Sequence, residues 1–173
     1  IDILNYVKRI EEKNKFVFIV PSYNNELWIQ KNIESILNQN YNNWRIIYIN
    51  DASTDTTEDK FFNLTQNYQD KIIYIKNDIN YGQAFNRYSA YNMCSDEEFC
   101  IMLDGDDWLA SNFVLRYLNI FIQENNVDLT YGTCSQYFEG KIEKISWIPC
   151  DYSKETIDNK TYRKDIWRAM HLR

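Results

Sequence analysis

Phe99-Cys100-Ile101-Met102-Leu103-Asp104-Gly105-Asp106-Asp107-Trp108 runs from an apolar segment into three carboxylates within four residues. Phe99 to Leu103 has the length and composition of a buried strand. Asp104, Asp106 and Asp107 then crowd around one glycine. Like charges this close repel, so the cluster costs stability unless a cation or strong donors offset it. Acids at the carboxyl end of a strand lie where α/β sheets place their ligands. Oxygen-only donors suit Mg²⁺ or Mn²⁺, with phosphate oxygens completing the shell. On this stretch alone, a cation–diphosphate site and a solvated acidic turn opening the next helix are equally good readings.

Working outward, the same pattern recurs upstream. Phe16 to Val20 is a continuous apolar run, and Pro21 is expected to end it because proline cannot donate to a ladder. Trp44 to Ile49 and Lys71 to Lys76 read as the second and third strands. Between the strands, residues 26–38, a stretch opening at about 55, and 82–94 have helical spacing. Strand and helix in alternation predict a mostly parallel sheet with helices on both faces. Such a sheet gathers Pro21-Ser22-Tyr23-Asn24, Asn50-Asp51-Ala52-Ser53 and Asp104-Gly105-Asp106 at one edge, which favours a nucleotide site over a bare acidic turn.

Beyond the acids, Ser111 or Asn112 caps a helix with apolar positions Phe113, Val114, Tyr117, Leu118, Phe121 and Ile122. Val127 to Tyr131 reads as a short strand, and Ser135–Phe138 with Ile142–Ile148 as a hairpin about Glu139-Gly140. Residues 152–159 read as loop and 161–173 as the start of a helix. At the other end, residues 1–14 carry a short amphipathic leading helix. The whole is expected to form a single domain: a nucleotide-binding half over 15–110 and the start of an acceptor half over 111–173.

Composition narrows the function. A net charge of −6 with no basic patch argues against nucleic acid as a partner. No apolar run reaches the ~18–20 residues of a membrane span. With no leader in view, a cytoplasmic setting is expected, where Cys94, Cys100, Cys134 and Cys150 are free thiols in apolar space. One histidine and no Cys-x-x-Cys pair make structural zinc a poor fit.

The assembled motifs resemble a family 2 glycosyltransferase of the GT-A fold. The matching pieces, in the family's order, are Val20-Pro21-Ser22-Tyr23-Asn24, Ile36-Leu37-Asn38-Gln39, Asn50 to Asp55, Asn80-Tyr81-Gly82 with Arg87, and Leu103 to Asp107. The tail Trp167 to Arg173 resembles a segment of one subgroup. The resemblance implies inverting transfer from a nucleotide sugar, most often a UDP-sugar, to a hydroxyl of a glycan, protein or lipid. It implies Mn²⁺ or Mg²⁺ held by Asp104, Asp106 and His171. It puts Pro21, Ser22, Tyr23, Asn24 and Glu26 along the donor pocket, Asp51 on the uracil N–H, Arg87 near the base or diphosphate, and Asp104-Gly105 at the ribose. The chemistry of the residue types agrees: a Tyr ring offers stacking area, and an ionised carboxylate accepts strongly.

An inverting transferase also needs a general base for the acceptor hydroxyl. The family's acid for this role has no clear match before Arg173; Asp151, Glu155 and Asp165 are present without its context. The chain is therefore expected to be a C-terminally truncated domain. Alternatives are a nucleotide-sugar-binding module without turnover, a sugar nucleotidyltransferase, and a Mg²⁺ phosphatase with an aspartate nucleophile. The second lacks its glycine-rich basic loop after Pro21, and the third leaves the donor-pocket residues unexplained.

Overall fold

The structure is a computed structural model that describes residues 10–125, 135–138 and 141–144. The chain divides into two compact units, Ile1–Val127 and Asp128–Arg173.

In the first unit, β1 (Lys15–Ser22), β2 (Trp44–Asn50), β3 (Ile72–Lys76) and β4 (Glu98–Met102) form one parallel sheet in the order β3-β2-β1-β4. Helix α1 (Ile29–Leu37) links β1 to β2, and α2 (Thr57–Thr65) with a single 3₁₀ turn (Gln69–Lys71) links β2 to β3. Helix α3 (Gln83–Tyr91) links β3 to β4, and α4 (Val114–Asn125) follows the acid cluster. The period of two sorts the strand residues into two cores. Phe16, Phe18, Val20, Ile46 and Tyr48 pack with α1, α2 and α4 through Ile33, Phe61 and Leu115. Val17, Ile19, Ile47 and Ile49 pack with Ala90 of α3 on the opposite face. Helices thus cover both faces, and the winding direction reverses at β1, between β2 and β4. Cys94 and Cys100 fill space beside the second core as free thiols, and burial pushes the Cys100 thiol up to about 12.

Several expectations need correction. Strand β1 does not stop at Pro21 but runs on to Ser22. Ile19 and Pro21 turn their carbonyls toward β4, accepting from the Leu103 and Gly105 amides. The proline's missing donor therefore falls where β4 has already ended, at Met102, and no ladder bond is lost. Strand β4 is half-buried along its whole length; among the described residues it pairs only with β1. Helix α1 begins at Ile29, leaving Leu27 77% exposed. On α4, Tyr117 and Phe121 are exposed, whereas Arg116 and Asn119 are buried. Arg116 donates to the Ile10 and Asn40 carbonyls and to Glu12, and Asn119 bonds Asn14 and Tyr41, so polar anchoring of residues 10–14 sets the rotation of this helix.

In the second unit, β5 (Ser135–Phe138) and β6 (Lys141–Lys144) form the expected antiparallel hairpin. The leading helix, the strand at 127–131, the segments at 145–148, 152–159 and 161–173, and Asp151, Glu155, Asp165, His171, Cys134 and Cys150 lie outside the described residues, except that 10–14 are described and non-helical.

Candidate functional site

The three turns that follow β1, β2 and β4 meet at the carboxyl edge of the sheet. The Asp51 amide donates to the Ser22 carbonyl at 2.8 Å, and the Gly105 amide to the Pro21 carbonyl at 3.0 Å. Gly105 is required by space: a Cβ there would stand 2.4 Å from Asn25 Nδ2 and 2.6 Å from Ser22 Oγ. The glycine of the Asp-Gly-Asp pattern is thus a consequence of how tightly the acid loop lies on the β1 turn.

Of the residues read from the sequence as donor contacts, Asn24 and Glu26 join the first two turns, and the Ser22 side chain braces the first. Ser22 Oγ accepts from Asn25 Nδ2. The Asn24 amide donates to Ser53 Oγ, and Asn24 Oδ1 accepts from the Thr54 amide. Its φ of 51° is one that asparagine tolerates better than most residues. Glu26 accepts from both the Thr56 hydroxyl and amide, and the hydroxyl bond is the main reason its carboxyl sits below the ordinary value. Asp55 completes the join, accepting from the Glu26 and Thr57 amides. Tyr23 stands at this edge 47% exposed.

Asp51 is buried and serves its own chain first. Its carboxylate accepts from Asn77 Nδ2 at 2.7 Å and from the amides of Tyr81 and Gly82 at 2.9 and 2.8 Å. Desolvation pushes this carboxyl up, but the donors outweigh it and hold it below the ordinary value. A carboxylate has roughly four acceptor positions; three are filled by these bonds, and the Asn86 side chain also favours the charged form. The turn it holds needs Gly82, whose φ is +83°.

Arg87 reaches from α3 to the acid loop, its Nη2 2.5 Å from Asp104 Oδ1. The mid-helix arginine is therefore tied to the acid loop and not turned out to solvent. Asp104 Oδ2 and both Asp106 oxygens accept nothing among the described residues, and Asp106 is exposed. Asn32, which the sequence reading passed over, holds the loop from below: its Nδ2 donates to the carbonyls of Asp104 (2.9 Å) and Asp107 (2.7 Å). One sign of it was available, a polar side chain on the stripe Ile29, Ile33, Ile36. Gln39, present in a quoted motif without a role, donates to the Ser111 carbonyl and accepts from the Leu115 amide.

Among the described residues no three His, Cys, Asp or Glu side chains form a cation cage. The donor set at hand, Asp106 and Asp104 Oδ2, suits an ion that draws its other ligands from phosphate and water, as Mg²⁺ does.

The profile of glycosyl transferase family 2 matches residues 17–166, which takes in every turn just described. The chain belongs to that family. Among its relatives, the teichoic acid poly(glycerol phosphate) polymerase of Staphylococcus epidermidis is 36% identical over 92% of this chain and 23% of that protein. Glycosyltransferase GlyA of Streptococcus pneumoniae is 27% identical over the same shares, 92% and 23%. The crystal structure of S. aureus TarS 1-349 in complex with UDP-GlcNAc superposes with a TM-score of 0.58 at 26% identity, over 65% of this chain and 32% of that one. This family 2 chain spans well under half the length of these proteins. No helix among its described residues is long and apolar enough to cross a membrane.

Proposed function

We propose that this chain carries the donor-binding half, residues 15–110, of a glycosyltransferase that moves a sugar from a UDP-sugar to an acceptor hydroxyl with inversion. One observation carries the proposal: an exposed Asp106, with no ion-pair partner among the described residues, beside the Arg87–Asp104 pair at the point where the sheet reverses its winding. The reversal point of an open α/β sheet is its ligand crevice. The UDP-GlcNAc held by TarS supports a uridine donor.

In this reading Pro21 and Tyr23 border the uracil, and Asp51 accepts its ring N–H. Because Asp51 also fixes the Tyr81 and Gly82 amides, base recognition and the shape of the Asn80–Gly82 turn are coupled. Arg87 brings positive charge to the diphosphate, oriented by Asp104. Asp106 and Asp104 are the residues that would hold Mn²⁺ or Mg²⁺. A divalent ion there supplies Lewis-acid stabilisation of the charge that builds on the leaving diphosphate. The general base and the acceptor contacts belong to residues beyond 110, with Asp151 and Asp165 the candidates in this chain. A nucleotide-sugar donor agrees with a cytoplasmic setting.

Titration calorimetry of the chain with UDP, GDP and UDP-GlcNAc, each with and without Mn²⁺, tests the proposal. UDP binding tighter than GDP, and strengthened by Mn²⁺, is the expected result. Tighter GDP binding overturns the uracil assignment, and metal-independent UDP affinity overturns the cation site.

A further inference from the structure

We infer that Asn32 is the positioning residue of the acid loop, setting from inside α1 the direction in which Asp104 and Asp106 point. Its side chain is fully buried, at 0% exposure, so it cannot touch a ligand at the sheet edge. It acts through backbone: both Nδ2 protons are spent on the carbonyls of Asp104 and Asp107, the two residues that bracket Gly105-Asp106. The opposite amide orientation would turn an oxygen toward two carbonyl oxygens, so the donor role is forced. Asn32 Oδ1, meanwhile, is buried with no hydrogen-bond partner. An apolar side chain would serve the neighbouring Ile29 and Ile33 without leaving an orphan acceptor, and a buried orphan is costly. Among the described residues, the asparagine's compensation is the pair of bonds to the acid loop.

The other restraints on the loop do not replace this one. The Gly105 amide fixes the loop to Pro21 on the strand side, and the Asp107 amide closes a turn onto the Asp104 carbonyl. Ser35 and Gln39, further along α1, hold Leu109 and Ser111. Asn32 is the α1 side chain that donates to both the Asp104 and the Asp107 carbonyl. Its carbonyl partners stay in place only while the amide does, and the carboxylates follow their own backbone. A one-ångström drift of such a ligand pair is enough to weaken a site.

The inference rests on the reading of the acid loop as the cation and nucleotide site, and two measurements keep the two apart. Hydrogen exchange reads the clamp without any ligand. In Asn32→Ala, the Gly105 and Asp107 amides should exchange about tenfold faster while those of β1 and β2 hold their protection. Calorimetry reads the consequence: Mn²⁺ enhancement of UDP binding should fall about tenfold, the scale seen for outer partners of metal ligands, with metal-free UDP affinity unchanged. Asn32→Ser, which keeps one donor, should lie between the two and carries the same readings if the alanine variant does not fold. Unchanged exchange at Gly105, or equal losses with and without Mn²⁺, overturns the inference. A wild-type chain with no Mn²⁺ enhancement overturns the cation reading, while exchange still decides the clamp.

Discussion

The two ends of the parallel sheet handle charge in opposite ways. At the amino end, Glu98 opens β4 with its side chain 3% exposed, between Lys15 of β1 and Arg45 of β2. Arg45 grips both carboxylate oxygens, Lys15 adds a third contact, and the Ser95 amide a fourth. Its carboxyl is held far below the usual range, chiefly by the Arg45 bonds. At the carboxyl end, Asp104 has one arginine and Asp106 has no partner among the described residues. A saturated carboxylate ties strands together; an unsaturated one keeps acceptor capacity to spare. The acids are of one chemical kind, and their partners decide which role each plays.

The comparison breaks most visibly at Glu98. Glu98→Ala leaves the part-buried Arg45 without its charge partner, and losing hydrogen bonds to a charged group costs about 1.5–3 kcal/mol; chemical denaturation should show a loss of that size, with UDP affinity of the folded fraction unchanged. The pH dependence has a definite sign. A depressed folded-state value means the stability from Glu98 is present above the unfolded value, roughly 4.3, and is lost as pH falls toward the folded one. Wild type should therefore lose more stability than Glu98→Gln on acidification below about pH 4. Equal losses would mean that Glu98 is not the staple it looks to be.

Next in size is Gly105→Ala. The added methyl meets Asn25 and Ser22 within 2.6 Å, and overpacking of this kind costs about 1–3 kcal/mol. The melting temperature should drop, and Mn²⁺-dependent UDP binding should weaken further than stability alone explains. Asp106→Ala should do the reverse of Glu98→Ala: stability within about 0.5 kcal/mol of wild type, as at other exposed sites, and Mn²⁺ enhancement of UDP binding abolished. A destabilised Asp106→Ala would erase the contrast between the two ends. The smallest effect is expected at Ala52, whose φ of 61° in the β2 turn is strained for any residue with a Cβ. Ala52→Gly relieves about 1–2 kcal/mol and gives back about 0.4–1 in chain entropy, so denaturation should show a slight gain.

The sequence by itself determined a good deal here. Apolar runs of strand length, helical spacing between them and polar turns after each strand were enough to give a parallel sheet covered on both faces. They also brought Pro21, Asp51 and Asp104 to one edge, because period and element order are local properties of a chain. The tertiary structure decided what depends on neighbours distant in sequence. Pro21 continues β1 because β4 ends opposite it. Tyr117 and Phe121 face out because Arg116 and Asn119 are anchored to residues 10–14 and to Asn40 and Tyr41. Asp51 holds a turn some thirty residues away, and Arg87 reaches Asp104 from a helix on the other face. Asn32 sits on an apolar stripe for the sake of two carbonyls more than seventy residues downstream. Hydrogen bonds and ion pairs are directional and short, so their partners are settled by the packed coordinates and leave almost no trace in local sequence pattern.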